Sequence, residues 1–186
     1  GTDSAAVNNG TGNYWQTKTI PSAAQMIVYG GKTLEPFTRY YWTVQVWDKD
    51  NKASSIKATS FFETGMMEIK NWKGSWISDN KDIEEKAAPY FRKSFEADKR
   101  IKSARAYIAA AGLFELYING KRSGDHHMDP TYTRFDRRVL YVTHDVTKDL
   151  QTGGNTIGVL LGNGWYNHQS TAVWNFHNAP WRARPA

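Results

Sequence analysis

The 186-residue chain contains no cysteine. Disulfide frameworks, thiolate metal sites and cysteine nucleophiles are therefore excluded together. No run of about 18 consecutive apolar residues occurs, so no segment reads as a membrane-spanning helix. A G-x-G-x-x-G fingerprint, a phosphate loop and a G-x-S-x-G nucleophile elbow are all missing, and dinucleotide-binding, nucleotide-binding and serine-hydrolase chemistry lose their usual marks. Charge of one sign is never concentrated. The 24 Lys and Arg are scattered among 18 Asp and Glu, for a net charge of +6. The densest basic spots are Lys121-Arg122, Arg134 with Arg137-Arg138, and Arg182 with Arg184. Such scatter reads as a solvated basic face and not as a nucleic-acid interface. Helical periodicity never lasts beyond two turns. The chain opens on Gly1 with no leader pattern, as expected of a processed or cloned fragment.

What is present is aromatic and β-like. Aromatics make up 14% of the chain, with eight Trp and ten Tyr, which suits strands and surfaces that pack on flat apolar faces. Residues 1–13 are small and polar and read as a flexible end or loop. Strand patterns follow at 14–20, closed by Pro21, and at 24–32, closed by Gly30-Gly31. The clearest run is 34–54, with Tyr40, Trp42, Val44 and Val46 on one face and a turn at 48–51. A strand at 58–65 ends at Gly65. Residues 66–74 read as a linker with one short helical turn. A second set of strands is expected at 89–97, 103–120, 137–146 and 154–166. Within 112–125, Phe114, Leu116 and Ile118 alternate with Glu115, Tyr117 and Asn119, and Asn119-Gly120 supplies the positive φ angles of a tight type I′ hairpin. Alanines at 109–111 also suit a helix, but the Gly112 break and the period of two beyond it favour strands.

The run Leu34-x-Pro36-x-Thr38-x-Tyr40-x-Trp42-x-Val44-x-Val46 resembles fibronectin type III domains. That resemblance implies a corner tyrosine, Tyr40, whose hydroxyl bonds back to nearby backbone. Such a sandwich has about seven strands, and fewer are legible before Gly65, so this domain is expected to be partial. The second set has roughly six of the eight strands of a jelly roll and is expected to be truncated at its C-terminal end. The fold class read from the sequence is all-β: a fibronectin type III-like piece at 1–65, a linker at 66–74, and a jelly-roll-like β-sandwich at 75–186.

One resemblance spans almost the whole chain. The parts ARAYI, GLFELYINGKRSGD, PTYTRFDRR, YVTHDVT and GVLLGNGWY follow in order between 103 and 167. Together with RYYWTVQVWDKDNKAS, FFETG and WKGSWIS upstream, they resemble the N-terminal, non-catalytic region of bacterial α-L-rhamnosidases. The resemblance implies a multidomain glycoside hydrolase that removes terminal L-rhamnose, with its carboxylate pair in a downstream (α/α)₆ barrel and inversion at the anomeric carbon. No catalytic residue is expected here. The implied partners are an L-rhamnose-containing glycan and the downstream catalytic domain, with neither nucleic acid nor membrane, and the implied parent is exported, periplasmic or extracellular.

Candidate binding residues are of two kinds. Asn163, Trp165 and Tyr166 in GNGWY pair an amide with flat rings, and a sugar offers hydroxyls and a C–H face to match. Trp174, Phe176, Asn178 and Trp181 form a similar cluster. The same aromatics read equally well as a turn packed on a core or a domain interface. Asp125, Asp129 and Asp136 are ordinary turn residues with no fixed separation for a catalytic pair. In Asp125-His126-His127-x-Asp129 the adjacent histidines lack zinc spacing, so no metal ligand set is assigned. Calcium, which accepts carboxylate and carbonyl oxygens from irregular loops, is the one optional cofactor, and Asp125 is carried with Asn163, Trp165, Tyr166, Trp174 and Asn178 as a candidate carbohydrate contact.

Overall fold

The computed structural model describes residues 1–54, 58–171 and 174–186. The chain divides into Gly1–Gly74 and Ser75–Ala186.

In the first unit the N-terminal residues are ordered into a short helix, α1 (Ser4–Asn8), where the sequence suggested a flexible end. Asp3 caps it, its carboxylate accepting from Ala6 N at 2.8 Å, and Val7 is buried beneath it. Strand β1 (Arg39–Thr43) pairs antiparallel with β2 (Thr59–Glu63), and Tyr40 stands opposite Phe62. Tyr40 is fully buried. Its hydroxyl accepts from Glu35 N at 2.7 Å, which is the backward corner bond expected of it. The turn at 48–51 is also as read: Asp48 Oδ1 accepts from the backbone of Asp50 and of Lys52, each at 2.9 Å.

Three strand expectations in this unit are corrected. Residues 14–20 and 24–32 adopt no regular strand. They are held by side chains instead: Trp15 meets Tyr29 edge-on at 5.1 Å, beside a single backbone bond from Lys32 N to Tyr14 O. A period of two stabilises a strand only where a partner completes the ladder, and here Met26, Ile27 and Val28 stay exposed. The long run at 34–54 shrinks to β1 and an isolated bridge between Trp47 and Ala53. Of its apolar face only Tyr40 is buried, while Trp42, Val44 and Val46 are exposed.

The second unit has the strands the sequence laid out: β3 (Tyr90–Ala97), β4 (Arg105–Ala109), β5 (Leu113–Ile118), β6 (Lys121–Arg122), β7 (Tyr141–Asp145) and β8 (Gly153–Gly162). They form a four-stranded sheet in the order β3-β8-β5-β6 and a two-stranded sheet of β4 and β7, antiparallel throughout. Phe114, Leu116 and Ile118 of β5 stand opposite Leu161, Val159 and Ile157 of β8. Ala106, Ile108 and Val142 from the smaller sheet pack on the same buried cluster. This is a sandwich core made by alternation. The β5–β6 hairpin turns through Asn119 at φ 51° and Gly120 at φ 81°, as a type I′ turn requires.

The C-terminal residues are built into this unit. Ala186 and Ala111 exchange backbone hydrogen bonds, and Pro185 is fully buried. Buried Arg184 pairs with Asp79 at 2.6 Å and donates to the Glu85 and Ala87 carbonyls. Arg182 donates to Glu84 and to Asn167 Oδ1. The charged stretch at 79–88 is thus tied down. Hydrogen bonding from Arg184 holds the Asp79 carboxyl below its ordinary value, against the effect of burial. Its contribution to stability is complete above the unfolded value of about 3.9 and is lost as pH falls through the lowered folded value. Arg184→Met leaves that carboxylate without its partner, and is expected to lower the melting temperature of this unit by several degrees at neutral pH. A thermal melt unchanged from the wild type would remove the pair from the stabilising interactions.

Candidate functional site

The end of β8 runs into Gly162-Asn163-Gly164-Trp165-Tyr166, and the loop is anchored from below. Asn167 is completely buried. Its amide donates to Asn163 Oδ1 at 3.1 Å and to Ile83 O at 2.9 Å, while its oxygen accepts from Arg182. Asn163 therefore spends its side-chain oxygen inside the loop. Gly112, at φ 124°, lies against this loop and the C-terminal segment, close to the Gly162 and Asn163 carbonyls and to Pro185.

Above that anchor the aromatics gather. Trp165 meets Trp174 at 6.2 Å and Phe176 at 5.6 Å, both edge to face. Phe176 continues to Tyr132, Tyr132 to Phe135, and Phe135 to Tyr166 at 5.2 Å. Burial pushes the Tyr166 hydroxyl above its usual value, so Tyr166 supports the cluster from within. Trp181 packs on Phe135 and Phe176, its Nε1 buried without a hydrogen-bond partner among the described residues. Trp174 is 68% exposed and Trp165 36%. Trp165 also lines a pocket of about 220 Å³ with Leu113, Met128, Pro130, Tyr132 and Phe135. Sequence reading had singled out Trp165, Tyr166, Trp174, Phe176 and Trp181, which the fold gathers into this cluster. It did not single out Met128, Pro130, Tyr132 and Phe135 as site residues, although the last three fall in the PTYTRFDRR block.

The other sequence candidates lie elsewhere. Asn178 is exposed at the end of a 3-10 turn (Phe176–Asn178), its amide 3.1 Å from His177 Nε2. The Asp125 carboxylate is fully exposed, with His126 Nε2 at 3.9 Å, and it lines neither this pocket nor the cleft on the four-stranded sheet described below. Asp136 is paired with Arg134 at 2.8 Å. Asp129 faces His126 at 3.5 Å, and Arg122 donates to the His126 carbonyl and lies against the His127 ring. A fixed guanidinium among these groups opposes a second cation by simple repulsion. Among the described residues no three His, Asp or Glu side chains gather as a metal-holding group. Below them, burial lowers the proton affinity of His144, which packs edge-on to Phe114.

The outer face of the four-stranded sheet holds a second concavity, of about 750 Å³. Across it the register sets Arg92, Gly158 and Tyr117 side by side, with Tyr90, Leu160 and Glu115 in the next row. Nothing in the sequence reading pointed to this face.

Residues 99–186 match the family described as the α-L-rhamnosidase N-terminal domain, and residues 4–68 match the Rha78A-like, N-terminal immunoglobulin domain. The chain belongs to the N-terminal region of the α-L-rhamnosidase family. An α-L-rhamnosidase of Formosa agariphila is 33% identical over 175 residues, covering 82% of this chain and 18% of the relative. The solved α-L-rhamnosidase from Dictyoglumus thermophilum is 42% identical with a TM-score of 0.79, covering 89% of this chain and 20% of that one. The native enzyme from Aspergillus terreus is 33% identical with a TM-score of 0.62, covering 72% and 16%. This rhamnosidase-family chain thus spans about a fifth of the length of the relatives it matches. Its two β units agree with an immunoglobulin-like domain followed by the rhamnosidase N-terminal domain, and the fibronectin-like features of the first unit, above all the Tyr40 corner, fit that description.

Proposed function

We propose that this chain is the non-catalytic leading region of an exported enzyme that hydrolyses terminal α-L-rhamnosides, and that its second unit binds a rhamnose-containing glycan at the Trp165 pocket. The observation that carries the binding role is the partly exposed indole of Trp165 in the lining of a pocket of about 220 Å³, with exposed Trp174 packed edge to face against it. That volume lies below the roughly 300–1,000 Å³ typical of drug-sized ligands, so it admits one terminal sugar ring and not a chain. Indole faces attract the C–H face of a pyranose, and the Thr131 hydroxyl and Tyr132 phenol supply polar contacts at the edge.

Titration with L-rhamnose is expected to change tryptophan fluorescence saturably in the millimolar range. Trp165→Ala should abolish the response while leaving the fold, since this side chain is only half-buried. Repeating the titration after chelation tests calcium, and loss of binding there would assign it a role. No saturable response in either buffer would overturn sugar binding. It would favour the second reading, in which exposed Trp174 is part of a docking face for the parent's catalytic domain.

A further inference from the structure

The outer face of the β3-β8-β5-β6 sheet has chemistry of its own. Tyr90 is 78% exposed at its rim. Tyr117 is held in place, its hydroxyl donating to Glu115 Oε2 at 2.7 Å. Glu115 also faces Arg122 at 3.6 Å, so its charge is already engaged. Between the walls lies Gly158. A Cβ there would meet Tyr117 Cβ at 3.7 Å and Phe91 O at 3.9 Å, which are ordinary contacts, and its φ is not positive. Neither backbone conformation nor packing requires glycine at this position. Its effect is to leave an open floor in the middle of a strand whose neighbours on that face, Leu160 and Thr156, both carry side chains. Across the floor Arg92 is exposed, and its guanidinium makes no ion pair or hydrogen bond among the described residues. Asn119, Gln151 and Thr156 form the polar end.

We propose that this cleft is a second glycan site, separate from the Trp165 pocket, and that it takes a short saccharide bearing a carboxylate. Sugar rings lie over Gly158 against Tyr90 and Tyr117, and the carboxylate pairs with Arg92. The volume of about 750 Å³ falls within the range for small-ligand sites and has room for more than one ring. This is a sheet face and not an edge, so it offers an extended peptide no backbone groups to pair with. It offers ring faces, hydroxyls, the Gln151 amide oxygen and one guanidinium, whose planar fork matches a carboxylate. The choice of a saccharide rests on the carbohydrate-binding reading of the unit, but the site does not share residues with the Trp165 pocket.

The test is calorimetric titration of the 186-residue chain with tri-α-1,4-galacturonate, its methyl ester, hexaglutamate and L-rhamnose. Trigalacturonate is expected to bind the wild type. Gly158→Val fills the floor with a good strand former and should weaken that binding at least tenfold with an unchanged circular dichroism spectrum. Arg92→Gln, on the surface, should remove the preference for the acid over its methyl ester. Trp165→Ala should leave trigalacturonate binding intact. Loss of rhamnose binding in Trp165→Ala with trigalacturonate binding retained supports both sites. Rhamnose binding without any trigalacturonate heat overturns this second site alone. Full binding in both Gly158→Val and Arg92→Gln, or equal binding of hexaglutamate, overturns it as well.

Discussion

Gly112→Ala is expected to cost the Ser75–Ala186 unit more than about 4 kcal/mol, the range reached only by a few named mechanisms such as severe overpacking or backbone strain. Both apply. The residue sits at φ 124°, where an L side chain is strained by roughly 1–3 kcal/mol. A Cβ would overlap the Gly162 carbonyl oxygen and press on Pro185 Cβ at 3.3 Å and the Asn163 carbonyl at 3.4 Å. Those contacts belong to the end of β8, the loop that follows it and the C-terminal segment. None is the flexible end of a side chain, so relief requires moving backbone at the base of the Trp165 pocket. Domains of this size have about 5–15 kcal/mol in hand, so the variant should be marginal or unfolded at 25 °C. Urea titration followed by tryptophan fluorescence reads the effect. Gly158→Ala is the control: it lies in a strand with no positive φ, and an added Cβ meets only ordinary contacts at 3.7 and 3.9 Å, so it should be neutral or stabilising. A Gly112→Ala midpoint equal to the wild type would contradict the packing around that residue.

The parts of this molecule legible in the sequence are those where local pattern and long-range pairing agree. The β5–β6 hairpin is one, because Asn119-Gly120 fixes the turn while Phe114, Leu116 and Ile118 fix the buried face. Tyr40 is another, since Pro36, Thr38 and Tyr40 carry the corner within a few residues. Residues 14–32 failed for the complementary reason. Their alternation is genuine, but strand formation needs a partner, and no ladder forms on them among the described residues. Helix α1 was hidden because a five-residue helix has too little length for periodicity, and only its Asp3 cap betrays it.

The binding surfaces divide in the same way. Trp165 and Trp174 stand out by residue type. The rest of the Trp165 pocket comes from Gly112, Leu113 and residues within 128–135, and nothing in the local pattern relates these to Trp165 until the fold brings them together. Asp79 and Arg184 are 105 residues apart, and no local signal relates them. The outer cleft is the least legible of all. Its one sequence trace is Gly158 interrupting the side chains of the outer face of β8, which becomes meaningful only once Arg92 and Tyr117 are known to flank it.

Asn155→Ala should produce the other large loss, about 3 kcal/mol, because each buried polar group left without a partner costs roughly 1–3 kcal/mol. Asn155 is buried at the start of β8, and every polar atom of its side chain is used. Its oxygen accepts from Asn119 Nδ2 and from Gln151 N, each at 2.9 Å. Its amide donates to the carbonyls of Gln151 at 2.7 Å and Gly153 at 2.9 Å. Asn119 extends the network: its oxygen accepts from Thr156 N, and its amide also donates to Asp149 O. The hairpin turn and the turn before β8 are therefore joined through two side-chain amides. A double-mutant cycle with Asn119→Ala should be strongly non-additive, since the first deletion already strands the partner of the second. Asn119 and Gln151 also line the polar end of the outer cleft. At a urea concentration where Asn155→Ala is still folded, its affinity for trigalacturonate should fall even though Asn155 is not part of the cleft lining. Unchanged affinity in that folded population would confine the amide network to stability and leave Arg92 and the tyrosines to hold the ligand.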